Sequence, residues 1–421
     1  IVAAAKRENA DIVALSGLIT PSLEEMARVA SALQEVGMEV PLLVGGATTS
    51  DLHTALKLAP HYPNSVVVRT ADASTIVPIA AALAGKDRAT TIARIRAEQH
   101  ALREGFAEKS VPMLTLEQAR AAAPTMDWAA TPQAVPTRTG VFTVGVPCGC
   151  TCCNPAPDFP LSWDDLKTRA DWSILLRVYE LHDVWNPARK DFHPTAPADK
   201  ADAARKLLAD AEALLQRAIA EDKLHARACF GIWPANREGD DILVQGGTVL
   251  HTLRQQQDKP GRKACWALAD FVAPAPHTGY VGTMQCSVTG ADEWAAELNA
   301  AADTYNALLC SAVANVLGEA LAECTHACVE EVWSAGSCTI IRPACGYPSQ
   351  QDHAEKRTVF DLLNATERTG ATLTESYMMR PVSSVCALLF NHPQAHYFAV
   401  GPIAPDQLAS YTTRAGHAPM M

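Results

Sequence analysis

Residues 1 to about 95 alternate short apolar, β-branched runs with stretches of helical period. "DIVALSGL" precedes "SLEEMARVASALQEVG", "PLLVGGA" precedes "TTSDLHTALKLA", and "SVVVRT" precedes "DASTIVPIAAALAG". Strands that are continuously apolar must be covered on both faces, and helices between them supply the cover, so this order commits the segment to βαβ units and a doubly wound parallel sheet. Such sheets bind ligands at the carboxyl ends of their strands. Those ends are "SGLITPS" (16–22), "GGATTS" (45–50) and "TADAS" (70–74). Helix caps explain a Ser or Thr before each helix. They do not explain three successive ends without a bulky side chain, and a wide ligand lying over this edge is the better reading.

The pattern changes after residue 95. "RIRAEQHALREGFAEK" reads as a charged amphipathic helix, and the Pro- and Ala-rich "AAAPTMDWAATPQAVPTRTG" as a linker wrapping between domains. The cluster "CGCTCC" (148–153) lacks the paired C-x-x-C knuckles of zinc sites and is read as a surface loop. From about 161 onward the chain is mixed α+β. Long amphipathic helices accompany "ARACFGIWPA", "DDILVQ", "ACWALADFV", "GYVGTMQCSV", "VSSVCALLFNH" and "HYFAVGPI", all read as strands of an antiparallel sheet with helices on one side. We therefore expect a truncated doubly wound module over 1–95, an interdomain helix and linker over 96–114, and an α+β domain over 115–421. A net charge of −11 argues against nucleic acid and anionic membranes as partners. No apolar run is read as membrane-spanning. With no initiator Met and no signal peptide, the chain is expected to be a fragment of a longer protein, a cytoplasmic monomer with reduced thiols.

Four stretches of the second part gather polar groups beside apolar runs. "RADWSILL" places Asp171 at a helix start, where it also suits a cap. "PANREGDD" carries Asn236, Arg237, Asp240 and Asp241, which a charged hairpin explains equally well. "GEALAECTHAC" puts Glu319, Glu323 and His326 on one helix face, with Cys324 and Cys328 interleaved. There one functional carboxylate is preferred over a metal site. "TIIRPACGYPSQ" is a loop stiffened by Pro343 and Pro348 that holds Arg342 and Tyr347, and "NHPQAHYFAV" carries Tyr397 and Phe398. An amino acid offers a carboxylate to a guanidinium fork, and a sulfonium favours carboxylates and aromatic faces. Arg342, Asp171 and Tyr347 thus suit S-adenosylmethionine, although a structural Arg–Asp pair would look the same.

"ALSGLITPSLEEM" and "PLLVGGATTSDLHTA" resemble the cobalamin-binding module of cobalamin-dependent methionine synthases. "PANREGDD", "HTLRQQQDK", "LADFVAP", "IIRPACGYP", "HAEKRTVFDLL" and "LTESYMM" resemble that family's reactivation domain, in the same order. The resemblance implies an S-adenosylmethionine-binding domain that remethylates cob(II)alamin, with an electron from flavodoxin or a flavoprotein reductase. Ser16, Thr20 and Ala73 would touch the cobalamin nucleotide tail. Asp171, Arg342 and Tyr397 match the family's S-adenosylmethionine contacts, with Glu319, Tyr347 and Phe398 completing the pocket. No residue of this chain is expected to be catalytic in itself or to bind metal. The D-x-H-x-x-G segment with the axial histidine is expected upstream of residue 1, and zinc belongs to a homocysteine domain outside this chain. The stretch 334–341 is shorter than the family's usual excursion. A non-catalytic module that binds S-adenosylmethionine or a corrinoid is the alternative.

Overall fold

The computed structural model describes residues 1–17, 22–46, 48–107, 112–147, 156–186, 189, 191–333 and 340–420. Two compact units divide the chain, Ile1–Pro112 and Met113–Met421. The cysteine cluster and most of the 334–341 stretch lie outside the described residues.

In the first unit α1 (Val2–Arg7), β1 (Val13–Ser16), α2 (Ser22–Glu35), β2 (Leu42–Gly45), α3 (Asp51–His53), β3 (Val67–Thr70), α4 (Ala73–Ala84) and α5 (Arg88–Ala107) succeed one another. The strands form a parallel sheet in the order β1-β2-β3, with Ser16 beside Gly45 and Gly45 beside Thr70, so their carboxyl ends are level. Helix α2 buries Met26, Ala30 and Leu33, the i, i+4, i+7 stripe of an amphipathic helix. Helix α3 runs on as a π-helical turn over Thr54–Leu58. Helix α5 starts earlier than expected and docks on this unit. Its Gln99 Nε2 donates to the Val67 carbonyl at 2.6 Å, and Arg96 donates to the carbonyls of Pro63 and Ser65, both at 2.9 Å.

The second unit begins with α6 (Leu116–Ala121), β4 (Gly140–Gly145), β5 (Phe159–Pro160), α7 (Trp163–Arg169) and α8 (Ser173–Val178). A small hairpin of β6 (Trp185–Asn186) and β7 (Asp191–Phe192) leads to α9 (Ala198–Ala220). Then come β8 (His225–Glu238), β9 (Asp241–Val244), β10 (Val249–His251), β11 (Gly279–Thr289), α10 (Ala291–Ala300) and α11 (Thr304–Trp333). The chain finishes through α12 (Glu355–Leu363), α13 (Ala365–Thr369), the hairpin β12 (Thr372–Leu373) and β13 (Met379–Arg380), β14 (Ser384–Leu389) and α14 (Pro405–Ala415). The main sheet runs β10-β9-β8-β11-β14, with β4 also pairing to β8; these pairs are antiparallel, and β5 joins β4 in parallel.

The segment expected to be an interdomain linker packs onto this unit. Trp128 is buried, and Gln133 exchanges hydrogen bonds with the Tyr280 backbone at 2.6 and 3.0 Å. The sheet is covered on both faces, where one had been expected. Phe230, Ile232, Met284, Cys286, Ala387 and Leu389 face one core, shared with α9–α11. Cys229, Val281, Cys386 and Leu388 alternate onto the opposite core with α12 and α13. Helix α11 is long and apolar enough to cross a membrane by length and composition, which the sequence reading had not anticipated. In this fold 72% of its most apolar window is buried inside the protein.

Two expected strands are absent. "ACWALADFV" contains a 3₁₀ turn over Leu268–Phe271, because Asp270 folds back to accept from the Ala267 N–H at 2.8 Å. "HYFAVGPI" is extended without strand pairing and lies along the 343–350 loop, with the Val400 N–H donating to the Pro348 carbonyl at 2.8 Å. The "PANREGDD" segment is the β8–β9 hairpin, as a charged hairpin reading expects, and Asp240 and Arg237 also enter a buried ion network. Arg254 donates from Nε to Asp240 at 2.7 Å and from Nη1 and Nη2 to both oxygens of Asp270 at 2.7 and 2.8 Å. Arg120 adds to Asp240 and Arg237 to Asp270, each at 2.8 Å. Burial would raise the Asp240 carboxyl, but Arg254 and Arg120 more than offset this and hold it below the usual range.

Replacing Arg254 with Met removes the one buried arginine of the network and leaves each buried carboxylate with a single, partly exposed arginine partner. The expected loss is about 3–5 kcal/mol of second-unit stability in chemical denaturation. A loss below about 1 kcal/mol would contradict the network's structural role, since that is the scale of an exposed pair.

A loop, a helix and an extended strand build the candidate ligand site

At the carboxyl edge of the first sheet, Ser16 is exposed at the end of β1 and Ala73 opens α4 directly after its cap, Asp72, whose carboxylate accepts from the Thr75 N–H at 3.0 Å. Thr20 lies outside the described residues. Ser50 caps α3, accepting from the His53 N–H at 3.1 Å. The glycines of "GGATTS" have their own cause. Gly46 has φ +105°, and a Cβ there would come within 2.0 Å of the Gly17 carbonyl oxygen. Two strand-end loops touch, tied further by Thr48 Oγ1 donating to the Gly17 carbonyl at 3.3 Å. The edge is therefore low both because loops pack there and because its side chains are small.

In the second unit the segment 341–350 hydrogen-bonds to β14 on one side and turns back on itself at the other. Leu388 N–H donates to the Pro343 carbonyl at 3.0 Å, and Gly346 N–H to the Gln350 carbonyl at 2.7 Å. Gly346 has φ +90°, and a Cβ would collide with the His353 ring, so only glycine lets the turn lie this close. Tyr347 emerges from the turn half exposed.

Arg342 lies across α11. Its Nη1 donates to the Ala322 carbonyl at 3.0 Å, its Nη2 pairs with the Glu323 carboxylate, and its backbone N–H donates to the Tyr397 hydroxyl at 2.9 Å. Glu319, one turn before Glu323, forms no hydrogen bond or ion pair among the described residues. Surrounding protein atoms desolvate its carboxyl, although its side chain still reaches solvent. They push its pKa up; Arg342 opposes the shift and Glu323 adds to it. Burial also raises the Tyr347 hydroxyl, with Glu319 contributing. His326 completes this helix face. It is held neutral by burial and by Arg342, with its Nε2 3.5 Å from Glu330.

The fold thus brings Arg342, Glu319, Tyr347 and Tyr397 near one another. Phe398 turns inward, its ring edge-on to Phe271 at 6.2 Å. Asp171 lies two residues before α8, where its carboxylate accepts from the Ser173 N–H at 3.0 Å, and no hydrogen bond or ion pair joins it to Arg342. It sits between α7 and α8, both packed against α11. Glu323 belonged to the sequence motif, but its pairing with an arginine 19 residues on was not foreseen. Cys324 points away, its thiol 3.8 Å from the Asp165 carbonyl. Among the described residues no three His, Cys, Asp or Glu side chains gather as a metal site.

The chain thus carries a parallel-sheet unit with level strand ends and an α+β unit that brings Arg342, Glu319, Tyr347 and Tyr397 together. Residues 162–416 match the family described as vitamin B12 dependent methionine synthase, activation domain, and residues 1–74 match the B12 binding domain. The chain belongs to the vitamin B12-dependent methionine synthase activation-domain family. It is similar to a crystal structure of the MetH reactivation domain bound to AdoHcy, with 33% identity and a TM-score of 0.63 over 73% of this chain and 95% of the other.

The raised pKa of Glu319 fixes a sign. The folded protein holds this proton more tightly than the unfolded chain, so ionising Glu319 costs stability as pH rises above the ordinary Glu range. Glu319→Gln should melt higher than wild type at pH 7, with the gap closing near pH 4. A lower melting temperature at pH 7 would show that Glu319 is paired.

Proposed function

We propose that this chain is the B12-binding and reactivating part of a methionine synthase, and that Arg342, Glu319, Tyr347 and Tyr397 bind S-adenosylmethionine. The observation that carries the reading is geometric: Arg342 lies across α11 with its backbone N–H on the Tyr397 hydroxyl, beside a Glu319 carboxylate that has no hydrogen bond or ion pair among the described residues. A carboxylate left in that state suits an ammonium or sulfonium, and a guanidinium with free N–H donors suits a carboxylate. S-adenosylmethionine carries all three groups. The AdoHcy-bound neighbour supports a ligand of this shape. Asp171 is assigned to the rim, where α7 and α8 meet α11, and Phe398 to the wall behind Tyr397.

At the first unit's edge Ser16, Gly45 and Thr70 are level and small, which suits the tail of a wide ligand, with Ala73 and Thr20 assigned beside them. A bound corrinoid supplies the cobalt centre that receives the methyl group, and flavodoxin or a flavoprotein reductase is our choice of electron donor. The protein's own part is to bind and orient the sulfonium ligand and to keep water from it. We place this activity in the cytoplasm.

Titration calorimetry tests the site. S-adenosylmethionine should bind the 421-residue chain, and Arg342→Ala should weaken binding by about 1.5–3 kcal/mol, the scale of a hydrogen bond to a charged group. Equal affinities would remove Arg342 from the site.

A further inference from the structure

We propose that Glu323 is a positioning residue for the ligand carboxylate, acting through Arg342 and never touching the ligand itself. The inference rests on the S-adenosylmethionine reading above and assigns it one more residue. A guanidinium has five N–H donors in one plane, so any two fixed donors set the direction of the rest. Here the Ala322 carbonyl and the Glu323 carboxylate take one donor from each terminal nitrogen. Both acceptors belong to consecutive residues of α11, the most buried helix of the unit, so the plane of the fork is referred to a rigid element. The Tyr397 hydroxyl fixes the same residue from the backbone side. The other three N–H donors have no partner among the described residues.

Glu323 is itself about half exposed, and Arg342 much less so. Within the pair the carboxylate is therefore the more solvent-exposed partner and the arginine the more buried one. Glu319, one helical turn earlier, has no such partner and remains for the cationic end of the ligand. Two glutamates on one helix face thus divide the work, one holding the arginine and one facing the ligand's positive charge.

Two other roles for Glu323 give opposite signs. If it competed with the ligand for Arg342, neutralising it would tighten binding. If it merely attracted cations, neutralising it would weaken decarboxylated S-adenosylmethionine, the more positive ligand, at least as much as S-adenosylmethionine itself. A positioning role predicts loss only for the ligand that carries the carboxylate.

The test measures both ligands against the full chain with Glu323 as wild type, Gln and Asp, and in the Arg342→Ala background. Glu323→Gln should weaken S-adenosylmethionine about three- to ten-fold, the scale of a partly exposed ion pair, and leave the decarboxylated ligand unchanged. Glu323→Asp should recover part of the loss. In the Arg342→Ala background Glu323→Gln should add nothing, since the two act as one unit. Tighter binding, equal losses for both ligands, or additive losses in the double variant would each overturn the proposal while leaving the site in place. Wild type failing to bind S-adenosylmethionine at all would overturn the functional reading, and this inference with it.

Discussion

Arg254 is the point on which the second unit's polar architecture turns. Its guanidinium joins the β8–β9 turn at Asp240 to the 3₁₀ turn at Asp270, and Nη1 reaches the Cys265 carbonyl at 2.6 Å. Its backbone extends the hub to the last helix: the Arg254 N–H donates to Gln407 Oε1 at 2.7 Å, and Gln407 Nε2 returns to the Arg254 carbonyl at 2.8 Å. A buried arginine is tolerable only when its charge and donors are matched, and here two carboxylates and a carbonyl match them. Such a network favours one arrangement of four separate segments, because any other arrangement leaves a buried charge alone.

The hub also reaches the ligand site. Gln255 Nε2 donates to the Ala399 carbonyl at 2.7 Å, and Gln256 Oε1 accepts from the Ala404 N–H at 2.8 Å. These bonds pin the extended chain that carries Tyr397 and Phe398, a stretch with no strand partner of its own. Tyr397 in turn meets the Arg342 backbone. An otherwise irregular segment can therefore present a tyrosine at a defined place, since side-chain amides from a neighbouring loop satisfy its peptide groups.

The site itself departs from the economy of the core. Glu319 has no hydrogen bond or ion pair among the described residues and its pKa is raised despite the nearby Arg342, and Tyr347 and Tyr397 keep much of their surface in water. A residue set chosen for stability would neutralise Glu319. Keeping it charged and unpaired costs stability, which is the trade expected of the cation-binding role proposed for it.

The sequence alone was enough for whatever depends on near neighbours. Helix and strand periods specified the parallel unit, a Ser or Thr before each helix announced caps such as Ser50, and Pro343, Gly346 and Pro348 marked a rigid loop around Arg342 and Tyr347. Tertiary structure decided what distant residues do to one another. The strands of the second sheet are apolar on both faces, a pattern that asks for cover on both sides and was read as one-sided; which helices supply each cover depends on distant segments, α9–α11 on one face and α12 and α13 on the other. "ACWALADFV" has strand composition, yet Asp270 must meet Arg254 and Arg237, and that demand bends the chain into a 3₁₀ turn. "HYFAVGPI" has strand composition as well, but its peptide groups are taken by Ser349, Pro348 and Gln255. Glu323 and Arg342 belong to a helix and a loop with no local reason to meet, and only the packing of that loop against α11 brings carboxylate and guanidinium together. Charge pairing acts through space, and the chain's own periodicity carries no record of it.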